Sequence, residues 1–304
     1  MDLRDKILSE AANSNYVSRH PNLLALILNQ RPSSRPDTYW NSRFDNIFEE
    51  LPGWRIPLES LQRSGALDLL ASALDTIEIL APLPSKIFRA FAEIPLNSVN
   101  VVFLGQDPYS TVDRSRTSLK ELNDMHYSEI AQMLGEGYEN WNLAQPNQGK
   151  LCAIPYAIGK CFAYPSICKE PPTQFQNLKE CARLSLGRNP NMDPELKNWS
   201  EQGVLMMNSC PILYESSRSN PNIWTAWTCE MLGAIAKNCT YCVFVLMGNS
   251  AKSFKSSIIS ANTNACIIET SHPTARADGD FMNSDLFRRI NEFRTSLSIK
   301  PIKF

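Results

Sequence analysis

The chain of 304 residues lacks any apolar run approaching the ~20 residues that a membrane-spanning helix needs. No membrane partner is therefore expected. No secretory leader is expected, because Met1-Asp2-Leu3-Arg4-Asp5 is charged and lacks an apolar core and a cleavage site. An excess of one charge is also absent: 30 Lys and Arg stand against 31 Asp and Glu, for a net charge of −1. That excludes a globally basic nucleic-acid coat but leaves room for a local basic site. There is no internal repeat and no long low-complexity tract. Nine cysteines, an odd number without a leader, read as reduced thiols in an intracellular compartment. No metal cluster is expected, since Cys239-Thr240-Tyr241-Cys242 is a lone close pair and a four-cysteine site needs a second. What the chain does have is apolar substance, 43% against 20% charged residues, enough for a sizeable core.

Residues 1–50 read as an N-terminal extension, partly flexible, with a short apolar helix candidate at Asn22–Asn29 and a Pro/Ser linker at Arg31–Asp37. Residues 60–80 read as helical, because Leu67, Leu70, Leu74 and Ile77 recur at helical spacing. The run Val99–Leu104 is β-branched and apolar, ends at Gly105, and reads as a buried parallel strand. Gly203–Asn208, Tyr241–Leu246 and Ala265–Thr270 are similar, each preceded by helical or loop sequence. Strand and crossover in alternation predict an α/β fold, a three-layer α/β/α arrangement with a central four-stranded, mostly parallel, twisted sheet. Ligands of such sheets sit beyond the carboxyl ends of the strands.

The residues after each strand are polar and compact: Gly105-Gln106-Asp107-Pro108-Tyr109, Asn208-Ser209, Gly248-Asn249-Ser250 and Ser271-His272-Pro273-Thr274-Ala275-Arg276. Taken singly, an Asp before Pro is a turn residue, an Asn after a strand ends it, and a His is a satisfied structural group. The functional reading rests on an Asp, an Asn and a His converging on one rim.

Here a resemblance enters. Leu104–Tyr109 resembles the water-activating loop of the uracil-DNA glycosylase family, and Ser271–Arg276 its second signature, the loop that enters the minor groove. Gln202–Asn208 resembles the strand ending in the uracil-reading Asn. The resemblance runs from about residue 50 to the end, taking in Ala81-Pro82-Leu83-Pro84 and Lys300-Pro301-Ile302, and makes 51–304 the catalytic domain. It implies a hydrolase that breaks the N-glycosidic bond of flipped-out deoxyuridine, releases uracil and leaves an abasic site, the start of base excision repair. Asp107 and His272 would be catalytic, and Gln106, Tyr109, Phe162 and Asn208 would bind uracil. Thr173, Gln174, Gly248, Asn249, Thr274 and Arg276 would grip DNA, single- or double-stranded. No cofactor and no metal are implied, and a monomer is expected.

The residues agree with these roles on chemical grounds. Leaving-base chemistry needs negative charge near an oxocarbenium-like sugar, which Asp107 would supply while orienting water. A neutral His272 suffices to hydrogen-bond uracil O2, because a preorganised donor is what matters. The Asn208 amide can donate to O4 and accept from N3–H at once, which separates uracil from cytosine. Excluding the thymine methyl takes a rigid wall, and Tyr109 matches the family's wall residue. Phe162 would stack on the base.

Four departures from the family pattern stand out. Ser110 replaces a His, Arg276 stands where a Leu wedge is usual, and Asn249 replaces a Ser. Tyr109 and Phe162 stand 53 positions apart, far more than the family's usual spacing, so an insertion lies at about 111–155. Within it, Ser118 and Glu121 form a capping box for a helix ending at Gly135. The insertion is read as surface decoration or as a contact for DNA or for a replication or repair protein. A second alignment would put Ala153 in the stacking position, but the distance from Phe162 to the Pro-rich loop fits better. The departures also keep a second reading open: a catalytically weakened, DNA-binding replication accessory on the same fold. Large DNA viruses encode family members, so a viral source is compatible with this divergence. The nucleus, the host's if the chain is viral, is the expected compartment.

Overall fold

The computed structural model describes residues 39–75, 79–82, 86–110, 112–113, 154–166, 168, 170–214, 221–275 and 281–304. The candidate helix at Asn22–Asn29, the linker, the capping-box helix, Ala153 and Arg276 lie outside them.

The chain enters through α1 (Tyr39–Asp45) and α2 (Ile47–Glu50), then α3 (Arg55–Arg63) and α4 (Ala66–Asp75). Trp40, Phe44, Ile47 and Leu51 are buried in the core. The boundary expected at residue 51 therefore falls inside packed structure, and the extension's last dozen residues belong to the domain. The spacing of these four side chains is helical, and Asp45, Asn46 and Glu49 between them are exposed. Helix is expected over 60–80; α3 and α4 supply it as far as Asp75, with a break at Ser64–Gly65, and α4 buries Leu67, Leu70 and Leu74. Ile79–Ala81, however, is a strand, and Ile77 lies outside the described residues.

Strand β1 (Ile79–Ala81) leads to α5 (Arg89–Glu93) and then to β2 (Val101–Gly105). A two-rung antiparallel ladder follows, β3 (Val112–Asp113) against β4 (Ile154–Pro155), with Val112 opposite Pro155 and Asp113 opposite Ile154. Helix α6 (Thr173–Leu186) ends at Gly187, whose φ of 64° is the left-handed cap that glycine adopts without strain. Next come α7 (Lys197–Ser200), β5 (Val204–Asn208) and β6 (Leu213–Tyr214), which pairs with β1. The chain finishes through α8 (Pro221–Asn238), β7 (Val243–Met247), α9 (Gly248–Lys252), α10 (Lys255–Ala261), β8 (Cys266–Thr270) and α11 (Leu286–Ser296).

Strands β5, β2, β7 and β8 form one sheet in that order, and every neighbouring pair is parallel. Because side chains alternate along a strand, each strand feeds two cores. Val102, Leu104, Leu205, Met207, Phe244 and Leu246 face a layer with Trp54, Leu70, Trp224 and Ile235. Val101, Phe103, Val204, Met206, Val243 and Val245 face the other, with Phe175, Trp199, Phe287 and Phe304. Helices thus cover both sides, as the continuous apolar runs require of a parallel sheet. All four expected strands are present, each starting one or two residues later than the apolar run that announced it.

Candidate active site

Four parallel strands put four carboxyl ends at one edge. The register sets Gly105 beside Asn208, Leu104 beside Leu246, and Met247 beside Thr270. The loops carrying Asn208, Gln106–Asp107, Gly248–Asn249 and His272 therefore follow one another along a single rim.

Gly105 is needed where it is. A Cβ there would lie 2.5 Å from Asn208 Oδ1 and 2.9 Å from Cys161 Cβ, so only a bare backbone lets the amide lie over the strand end. Asn208 is buried, and its Oδ1 has no hydrogen-bond partner among the described residues. A buried amide oxygen left so costs about 1–3 kcal/mol, and it is an acceptor available to an incoming N–H. The loop that follows is tied down from the Asn208 side. Ser209 N–H donates to Gly105 O at 2.9 Å, Cys210 N–H to Gln106 O at 2.8 Å, and the Ser209 hydroxyl to Gln106 O at 3.1 Å. Thr228, from α8, in turn donates its hydroxyl to Ser209 O at 2.8 Å. Gln106 is exposed and Asp107 half-buried on this clamped loop.

Tyr109 is buried with its ring 5.9 Å, edge-on, from Tyr156, which meets Tyr164 and through it Phe175. Burial pushes the Tyr109 hydroxyl well above its ordinary pKa, so it is a neutral donor, and it donates to Phe162 O at 2.8 Å. Phe162 has φ of 62°, a left-handed conformation that costs a bulky side chain about 1–2 kcal/mol and persists only where the surroundings enforce it. Its ring centroid lies 6.4 Å from the His272 ring. The structure thus brings Phe162 to the rim beside both Tyr109 and His272.

His272 is held by its own turn. Thr274 N–H donates to Nδ1 at 3.2 Å, and the Thr274 hydroxyl lies 2.9 Å from the same nitrogen. A backbone N–H can only donate, so Nδ1 is the acceptor and the ring proton sits on Nε2. Burial lowers the His272 pKa, and the Asp107 carboxylate opposes this without reversing it, so the ring is neutral at pH 7. Two further contacts fix the loop: Ala275 N–H donates to His272 O at 2.9 Å, and Asn177 Nδ2 on α6 donates to Pro273 O at 2.8 Å. Gly248, at φ of 82°, passes so close that an added Cβ would stand 3.2 Å from His272 Cβ.

The residues expected to grip DNA are placed as follows. Thr173 is exposed and Gln174 half-buried, and both open α6 rather than extending the Pro-rich loop, because Pro172 stands at the position before the helix. Gly248 and Asn249 start α9, the glycine turning the chain out of β7. Thr274 is exposed beside His272. The anchoring roles of Asn177 and Thr228 were not read from the sequence, since a polar residue on a helix carries no mark of the loop it will meet. Among the described residues, no group of three or more His, Cys, Asp or Glu side chains is placed to hold a metal ion.

No family model matches the chain. Among curated proteins it is 30% identical over 233 residues to the uracil-DNA glycosylase of Helicobacter hepaticus, covering 76% of this chain and 83% of that protein. It is 31% identical over 212 residues to the uracil-DNA glycosylase of Borrelia duttonii, covering 68% and 74%. Among solved structures, that of mimivirus uracil-DNA glycosylase superposes with a TM-score of 0.61 at 22% identity, over 83% of this chain and 86% of that one. A mimivirus variant in complex with UGI superposes equally well.

Proposed function

The chain belongs to the uracil-DNA glycosylase family, and from that premise we propose that its rim excises uracil from DNA by hydrolysis. Water adds to C1′ of the deoxyribose, the bond from C1′ to N1 breaks, and its electron pair leaves with uracil. The water's proton is lost to solvent or base, and an abasic site remains. DNA, single- or double-stranded, is the macromolecular partner.

Each residue then has a part. Asp107, on its clamped loop, orients the water and stabilises positive charge on the sugar. His272 presents its Nε2–H to uracil O2, where charge builds as the bond breaks. Asn208 Oδ1 receives N3–H while the amide nitrogen donates to O4, a pairing that cytosine cannot match. Tyr109 blocks the space a thymine methyl would need, and Phe162 stacks on the base. Thr173, Gln174, Gly248, Asn249, Thr274 and Arg276 hold phosphates through hydroxyls, amides, main-chain N–H groups and one guanidinium. Such grips suit a chain of net charge −1.

The observation that carries this reading is the buried Asn208 Oδ1, unpartnered among the described residues, on the same rim as Asp107 and the Nε2-protonated His272. The test is incubation with a labelled uracil-containing oligonucleotide, without added metal, followed by alkali. Strand breaks at uracil, absent with thymine or cytosine and reduced by at least about a hundredfold in Asp107→Asn, are expected. Folded protein that cleaves neither single nor double strands would favour the accessory reading.

A further inference from the structure

Lys160 stands two residues before Phe162, and its side chain is almost wholly buried. An ammonium there is tolerable only if paired. Nζ donates to Glu93 Oε2 at 2.7 Å and to Ser200 Oγ at 2.8 Å. Glu93 also receives Arg89 Nε at 2.7 Å, and Arg89 Nη2 reaches Glu195 at 2.6 Å. Burial raises the Glu93 carboxyl, but Lys160 and Arg89 outweigh it and hold the group below its ordinary value, so the cluster is ionic. Glu195 accepts the Ser166 hydroxyl at 3.2 Å. Ser166 lies just beyond Phe162 on the other side, so one chain of charges grips the aromatic segment at both ends.

Between those grips the backbone is pinned as well. Cys161 N–H donates to Met206 O at 3.0 Å, and Tyr164 N–H to Pro194 O at 2.9 Å. The segment enters through Gly159, where a Cβ would fall 1.7 Å from Lys86 O. A well-packed apolar side chain in place of a buried ion pair usually gives equal or greater stability, so stability alone does not account for the cluster. What it supplies is a fixed geometry for a segment whose central residue is strained.

We propose that Lys160 is a positioning residue for Phe162: by anchoring the 160–166 segment to Glu93 and Ser200, it sets the ring plane against which the extruded base stacks. The inference rests on the uracil-excising reading of the rim. Lys160 touches no reacting atom and acts through Phe162.

The experiment is a double-mutant cycle on the full chain with Lys160→Met, Phe162→Ala and the pair together. Lys160→Met fills similar volume and leaves Glu93 paired with Arg89. KM and kcat for uracil release from a single-stranded oligonucleotide are measured, together with inhibition by free uracil. Stacking losses of this kind are worth about tenfold in affinity. Lys160→Met is expected to raise KM and weaken uracil inhibition about tenfold while kcat changes less than about threefold. In the Phe162→Ala background it should have no further effect. Ser166→Ala, which loosens the other end, should shift KM in the same direction, and it decides the matter if Lys160→Met does not fold. Additive losses, or a loss confined to kcat, with an active wild type would overturn the proposal alone. A wild type that releases no uracil would overturn the functional reading and this inference with it.

Discussion

Gly105→Ala is the substitution that tests the rim most directly. The added methyl would sit 2.5 Å from Asn208 Oδ1 and 2.9 Å from Cys161 Cβ, both inside the distance that real Cβ atoms keep. Something must move, and the Asn208 amide is a side-chain end with no partner on Oδ1 among the described residues, whereas Cys161 is fixed by its backbone bond to Met206. The amide should therefore swing away. Overpacking of this size costs about 1–3 kcal/mol of stability. Misplacing a group that makes a hydrogen bond to the base costs about 1–3 kcal/mol of transition-state binding, or about 5- to 150-fold in kcat/KM. Gly65→Ala is the control: its φ of 73° strains the backbone, yet nothing lies within 4 Å of an added Cβ. It should lower the melting temperature and leave kcat/KM unchanged. Steady-state excision from a uracil oligonucleotide, with thermal melting alongside, reads both quantities. A folded Gly105→Ala protein with wild-type kcat/KM would show that the Asn208 amide does not read the base from where it lies.

Asn208→Asp should relax the choice between uracil and cytosine, with cytosine release from a matched oligonucleotide rising at least about tenfold relative to uracil; unchanged selectivity would place base reading elsewhere. Tyr109→Phe removes the donor to Phe162 O, worth about 1 kcal/mol, so KM should rise about fivefold with thymine still refused; an unchanged KM would show that this bond does not hold the ring. His272 gives a pH signature. Its folded pKa lies below the ordinary 6.5, so between the two the unfolded chain binds more protons than the folded one. Its contribution to stability is complete above pH 6.5 and lost as pH falls through the folded pKa. Single-turnover release should likewise be flat above that point and decline below it, and His272→Gln should abolish the decline. An acid limb centred above pH 6.5 would contradict a neutral donor.

The strands were legible because burial on both faces leaves an unbroken apolar run, and the rim was legible because parallel strands bring their carboxyl ends together. Asn208 ends such a run, and Asp107 and His272 each stand two residues beyond the end of a strand. Phe162 was harder: it hangs on no strand, and only its distance to the Pro-rich loop and Asn177 favoured it over Ala153. Trp40, Phe44 and Ile47 were overlooked, although their spacing is helical, because the polar residues between them made the segment read as an extension. Lys160 was invisible as a structural group. A lysine in a loop reads as solvated, and its partners come from α5 and α7, far away in the sequence. No periodicity reports a bond between distant side chains.

The ladder of Val112–Asp113 with Ile154–Pro155 acts as a collar. The chain passes Asp113 and is described again from Ile154, and two backbone pairs hold these points side by side next to the rim. For a closed excursion of this kind, each doubling of length costs only about 0.6 kcal/mol of closure entropy. A change in the length of chain between these paired ends therefore costs the fold little. The paired ends are thus a point at which a segment can be lengthened or exchanged at small entropic cost.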